Sequence, residues 1–206
     1  MSYKEFSLEQ INRRFQIAIE SRVDLFGDRP PSLDLNPAFK GYLDYSARLG
    51  LSINTEKSRS EMIIAPMLIE LKRLTEERIS VFSGVEFSVE PEQGLNGFCD
   101  FIVSQSEQQL YIESPVAIIF EAKNENIKGG LGQCLAAMLA AQRFNQARDA
   151  AIDAVFGAVT TGNQWKFLKL LGQSAYIDAA DYYIDPLGRI MGVLYALAMP
   201  TVSPVP

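Results

Sequence analysis

The stretch PVAIIFEAK, residues 115–123, constrains the fold of this chain more than any other. Successive side chains of a strand point to opposite faces, and residues 116–120 are apolar at every position, so neither face of such a strand can be left to water. It therefore belongs in the middle of a sheet covered by helices on both sides. The flanking segments agree. ISVFSGVEFSVE and GFCDFIVS carry the β-branched and aromatic enrichment of strands and are separated by the turn residues of EPEQGLNG. Residues 129–148, with Gly132, Ala136, Ala137, Ala140 and Ala141, read as a helix able to lie close against a sheet. AVFGAVTTG and QWKFLKLL follow as a hairpin around Thr161-Gly162-Asn163.

Ahead of these strands, residues 58–77 read as a helix, with Ile63, Ile64, Met67, Leu68, Leu71 and Leu74 as its apolar stripe and Ser58 and Glu61 as a capping box. A first helix starts at the capping box of Ser7 and Gln10, carries Leu8, Ile11, Phe15 and Ile19, and ends before Gly27 and Pro30-Pro31. A last helix over 186–198 presents Leu187, Ile190, Met191, Leu194 and Leu197, with Pro186 and Pro200 marking its ends. Residues 28–39 and 200–206 read as linker-like. The expected organisation is one domain: a helical N-terminal extension over 1–57, a core over 58–185, and a closing helix and tail over 186–206. Its fold class is α/β, with an αβββαβ core and a mixed sheet flanked by helices.

The chain has 206 residues and no histidine. That removes Ser-His-Asp and Cys-His relays and histidine-based nucleases. Two cysteines, Cys99 and Cys134, are too few for a zinc site without histidine. Any metal chemistry must use oxygen ligands, which suits Mg²⁺ or Mn²⁺. The cysteines form no disulfide framework and no signal peptide is evident, so the expected location is cytoplasmic. IMGVLYALAMP is about half of the roughly 20 residues that a membrane span needs.

Four polar residues stand where the pattern calls for apolar ones: Glu61, Asp100, Glu121 and Lys123. Glu121 and Lys123 are two apart on a strand and share a face. Asp100 on the neighbouring strand brings a second carboxylate near, and a divalent cation is the usual relief for two close carboxylates. The Glu-x-Lys tripeptide is common by chance. Glu70-Leu71-Lys72 is a decoy on a helix, where i,i+2 residues do not share a face. What distinguishes Glu121-Ala122-Lys123 is its place at the end of an apolar strand. The bland readings are a capping role for Glu61, a strand-end ion pair for Glu121 and Lys123, and a packed, inert thiol for Cys99.

With Glu61 on its helix, GFCD ending in Asp100, IIFEAK, and Gln133 in GGLGQ, residues 58–171 resemble the PD-(D/E)XK nuclease superfamily in its RecB-type arrangement. The resemblance implies a restriction-endonuclease-like core. It also implies a Mg²⁺-dependent phosphodiesterase acting on DNA, with Asp100 and Glu121 as metal ligands assisted by Glu61. Lys123 would orient the attacking water and offset phosphorane charge, and Gln133 would shape the site. Two positions depart from the pattern: Cys99 stands where proline is usual, and Ala137 where a tyrosine often follows the glutamine.

The formal net charge is −6, with the acidic excess concentrated in residues 44–113. Lys128, Lys166 and Lys169 are the candidate nucleic-acid contacts, with Trp165 beside them. No long basic stripe is present, so counterion release is modest and a second copy or partner subunit is expected to supply further grip. The alternative from a different class is a non-catalytic binding or assembly module on the same fold, without metal affinity.

Overall fold

The computed structural model describes residues 1–27, 31–150 and 152–199. Residues 28–30 of the linker-like stretch, the tail at 200–206, and the reading of Pro30 and Pro200 as helix punctuation lie outside the described residues. In chain order the elements are α1 (Leu8–Phe15), β1 (Ala18–Val23), α2 (Pro37–Ile53), α3 (Glu56–Arg59), a π-helical turn (Ser60–Ile64) and α4 (Ala65–Leu74). They continue as β2 (Ser80–Glu86), β3 (Phe98–Ser104), β4 (Val116–Ala122), α5 (Ile127–Gln146), β5 (Ala154–Thr160), β6 (Gln164–Leu171), β7 (Ser174–Asp178), β8 (Tyr182–Tyr183) and α6 (Leu187–Ala198).

The fold is α/β around a mixed eight-stranded sheet in the order β1-β7-β6-β5-β4-β3-β2, with β8 pairing β6. β4 is central and all seven of its residues are buried. It runs parallel to β5, a connection that requires a crossover, and α5 is that crossover. On the α5 face Ile119, Val159 and Leu168 meet Cys134, Leu135 and Met138. On the other face Phe120, Trp165 and Phe167 meet Met67, Leu68, Ile190 and Leu194 from α4 and α6. Each such side chain contributes roughly 1.5–3 kcal/mol on burial. Close approach explains one glycine: a Cβ on Gly132 would lie 2.2 Å from the Phe6 carbonyl oxygen, where the N-terminal segment crosses α5.

The N-terminal segment differs from the expected all-helical extension. α1 begins at the expected capping box, with Ser7 Oγ accepting from Gln10 N–H. It stops at Gln16, whose φ of 56° is left-handed. Ile19 therefore lies on β1, which joins the sheet in parallel beside β7. As an edge strand bearing Glu20 and Arg22, it lacks the continuous apolar signal of β4.

The helix expected over 58–77 begins earlier and is interrupted. Thr55 caps it, Thr55 and Ser58 each accepting the other's backbone N–H. Pro66 has no N–H to offer the Met62 carbonyl four residues back. The Ser46 hydroxyl donates to that carbonyl instead, and Ala65 N–H reaches five residues back to Ser60 O. The resulting π turn inserts one residue, about 100° of rotation at 3.6 residues per turn. Residues before it are turned relative to the stripe after it. Among the described residues no helix is long and apolar enough to cross a membrane.

Candidate functional site

The site forms where β3 and β4 part. Their ladder runs from Ser104–Val116 to Phe101–Phe120, and one further step brings Asp100 level with Glu121. There Asp100 Oδ2 accepts the Ala122 N–H at 2.7 Å, taking the position of a backbone acceptor from β3. The last tie on the other side is Lys123 N–H to Thr160 O at 2.8 Å. Two polar side chains thus stand at the mouth of an otherwise apolar strand pair.

Glu121 is 3% exposed and its Oε1 accepts from the Lys123 ammonium. Burial, then the charge of Asp100, push its carboxyl up to about 8, against the opposing pull of Lys123. Lys123 moves up as well: burial lowers it, but the bond to Glu121 and the charges of Glu121, Glu56 and Asp100 outweigh that cost. Gln133, buried on α5, places its Oε1 3.4 Å from Lys123 Nζ. Gly130 makes room for the lysine stem, since a Cβ there would lie 3.1 Å from Lys123 Cε and 2.7 Å from Val159. The sequence-selected Asp100, Glu121, Lys123 and Gln133 are therefore neighbours.

Glu61 is not with them. It lies within the π turn, where its side chain is 60% exposed and pairs with Lys57 at 3.6 Å. The helix acid whose charge reaches both Glu121 and Lys123 is Glu56, at the first position after the Thr55 cap. Pro66 inside an apolar helical repeat was the sequence signal for this shift.

The basic residues also separate. Lys166 is tied to Asp181 at 2.8 Å and to the Ala180 carbonyl at 3.0 Å. Lys169 lies over the Phe156 ring at 5.9 Å, and three residues apart on β6 the two lysines occupy opposite faces of the sheet. Trp165 is fully buried, donating Nε1–H to Gly162 O at 3.0 Å, so it is a core residue and offers nucleic acid nothing. Lys128 is exposed on the first turn of α5 and, among the described residues, is not in an ion pair. Cys99 is buried, and burial pushes its thiol up, with the charges of Glu121 and Asp100 adding to the effect.

Among the described residues no three Asp, Glu or Cys side chains converge as a metal cage. The donor set nevertheless fits a small hard cation. Mg²⁺ keeps several waters and is commonly held by one or two carboxylates plus substrate phosphate. Asp100 retains Oδ1 and Glu121 retains Oε2 outside the bonds described above.

Compared with known proteins, the chain matches no family model, no curated relative and no solved structure.

Proposed function

We propose that this chain is a Mg²⁺-dependent phosphodiesterase acting on DNA, a member of the PD-(D/E)XK class with a restriction-endonuclease-like core. The observation that carries the reading is the convergence of Asp100, Glu121 and Lys123 at the parted ends of β3 and β4, with Gln133 on the lysine. The order of α3–α4, β2, β3, β4, α5 and β5 is that of the αβββαβ core. Asp100 and Glu121 would hold the metal, Mn²⁺ being a substitute. When bound, a divalent ion lowers the pKa of its water and neutralises charge on a phosphate oxygen.

The residues of the chain do the rest. Lys123 would donate toward the attacking water and the developing phosphate charge, with Gln133 Oε1 accepting from its ammonium. Against the cost of burial, the bond to Glu121 and the Glu121 charge raise the Lys123 ammonium, and Glu56 adds to them. The grip on DNA would be weak and salt-sensitive, because Lys166 is engaged, Lys169 faces away and few cations remain near the site. Purified wild-type chain is expected to cleave DNA in Mg²⁺, with cleavage absent from Glu121→Ala and Lys123→Ala. Equal cleavage by all three proteins overturns the assignment.

One observation favours the alternative of a binding or assembly module. Tyr42, Tyr45, Leu49 and Ile53 on α2 are 58%, 74%, 45% and 48% exposed and recur at helical spacing, an apolar stripe of the kind that marks interaction surfaces. A purely structural polar cluster has no Mn²⁺ affinity, so calorimetry separates the two readings.

A further inference from the structure

Arg59 joins three separate segments around the candidate site. Its Nε donates to Asn124 Oδ1 at 3.2 Å, its Nη1 to the Thr161 carbonyl at 2.7 Å and its Nη2 to Asn54 Oδ1 at 2.8 Å. Asn124 follows Lys123 directly. Thr161 opens the β5–β6 turn and follows Thr160, whose carbonyl holds Lys123 N–H. Asn54 is the C-cap of α2, with a left-handed φ of 57°. Arg59 itself sits three residues after Glu56, on the last position before the π turn. A planar guanidinium with donors in three directions suits this junction, whereas an ammonium on a flexible stem cannot reproduce it.

We infer that Arg59 is a positioning residue: it fixes the end of β4, and with it Lys123, relative to the helix start that carries Glu56. The inference rests on the proposed metal-assisted site. The geometry supplies the reason that a tie is needed. Beyond Ala122 the strand has left its β3 neighbour, and one backbone bond to β5 is the only ladder contact described for Lys123. The Arg59–Asn124 bond restrains the chain one residue further on, and the Arg59–Thr161 bond ties it to the same turn that follows Thr160. Misplacing a reacting group by about 1 Å costs on the order of 100-fold in rate.

The test compares full-length wild type, Arg59→Ala, Arg59→Lys and Asn124→Ala for Mn²⁺ affinity by calorimetry, for kcat and KM on a DNA duplex, and for thermal unfolding. Arg59→Ala is expected to lose about 10- to 100-fold in kcat with KM and Mn²⁺ affinity close to wild type. Arg59→Lys should fail to restore the rate. Asn124→Ala, which keeps the bonds to Thr161 and Asn54, should show a smaller loss of the same kind and serves if Arg59→Ala does not fold. Wild-type kcat in a folded Arg59→Ala, or in Asn124→Ala if only that variant folds, reduces Arg59 to a structural tie and overturns the inference alone. A wild type that neither binds Mn²⁺ nor cleaves overturns the site reading, and the positioning role falls with it.

Discussion

The two faces of the sheet are packed by different means. Against α4 and α6 the face is filled with large rings: Phe120 meets Trp165 edge-on at 6.3 Å between centroids, and Trp165 stacks on Phe167 at 6.4 Å. Against α5 the fit depends on small residues, with Ala136, Ala137, Ala140 and Ala141 buried and Gly132 under the N-terminal segment. The aromatic face contributes stability through the contacts of its large rings. The small-residue face brings α5 close enough for Gln133 and Gly130 to reach Lys123 at the strand end. One face holds the sheet together, and the other carries the polar cluster.

The sharpest way to separate those roles is to remove a carboxylate. Asp100→Ala should lower cleavage at least about 1000-fold, equivalent to roughly 4 kcal/mol of transition-state stabilisation, while leaving cooperative unfolding intact; kinetics beside circular dichroism check both. The converse is Trp165→Ala on the aromatic face. It should destabilise the chain by about 3–5 kcal/mol, read by denaturant unfolding, through loss of packing with no direct effect on metal affinity.

The polar cluster should also be visible as pH-dependent stability. Burial and Asp100 raise the folded-state Glu121 carboxyl from 4.5 to about 8, so the fold binds its proton more tightly than the unfolded chain does. This contribution is complete below about pH 4.5 and is lost as pH rises through 8, a decline of a few kcal/mol for a nearly fully buried group. Unfolding measured in metal-free buffer between pH 5 and 9 should show the decline in wild type and a flatter profile in Glu121→Gln. Gly132→Ala tests the small-residue face more gently. Its Cβ meets backbone and not a movable side chain, and the expected cost is about 1–3 kcal/mol, measured as a fall in thermal midpoint. Glu61→Ala should be nearly silent, within about 0.5 kcal/mol in stability and within twofold in rate.

Much of this was legible in the sequence because strand periodicity is simple. β4 announced itself by five apolar residues in a row, and the polar residues that broke the pattern, Asp100, Glu121 and Lys123, lie together in the structure. Gln133 came only from the family resemblance, and its side chain lies 3.4 Å from the Lys123 ammonium. Glu61 fits the buried stripe only on an unbroken 3.6-residue repeat, and the helix carries a π turn over Ser60–Ile64 just ahead of Pro66. Arg59 and Asn124 had no local signal, since their bond joins segments 65 residues apart. β1 was hidden by its edge position, where one charged face is compatible with helix or strand. The opposite facing of Lys166 and Lys169 was available from their odd spacing on a strand, as was the burial of Trp165 from its alternation with Phe167.

The central claim is that Asp100 and Glu121 form a divalent-cation site at the end of the buried strand. Calorimetric titration of the wild-type chain with Mn²⁺ addresses it without recourse to activity. Saturable binding is expected that disappears in Asp100→Ala and persists in Glu61→Ala; no binding to wild type, or equal binding to Asp100→Ala, would contradict such a site.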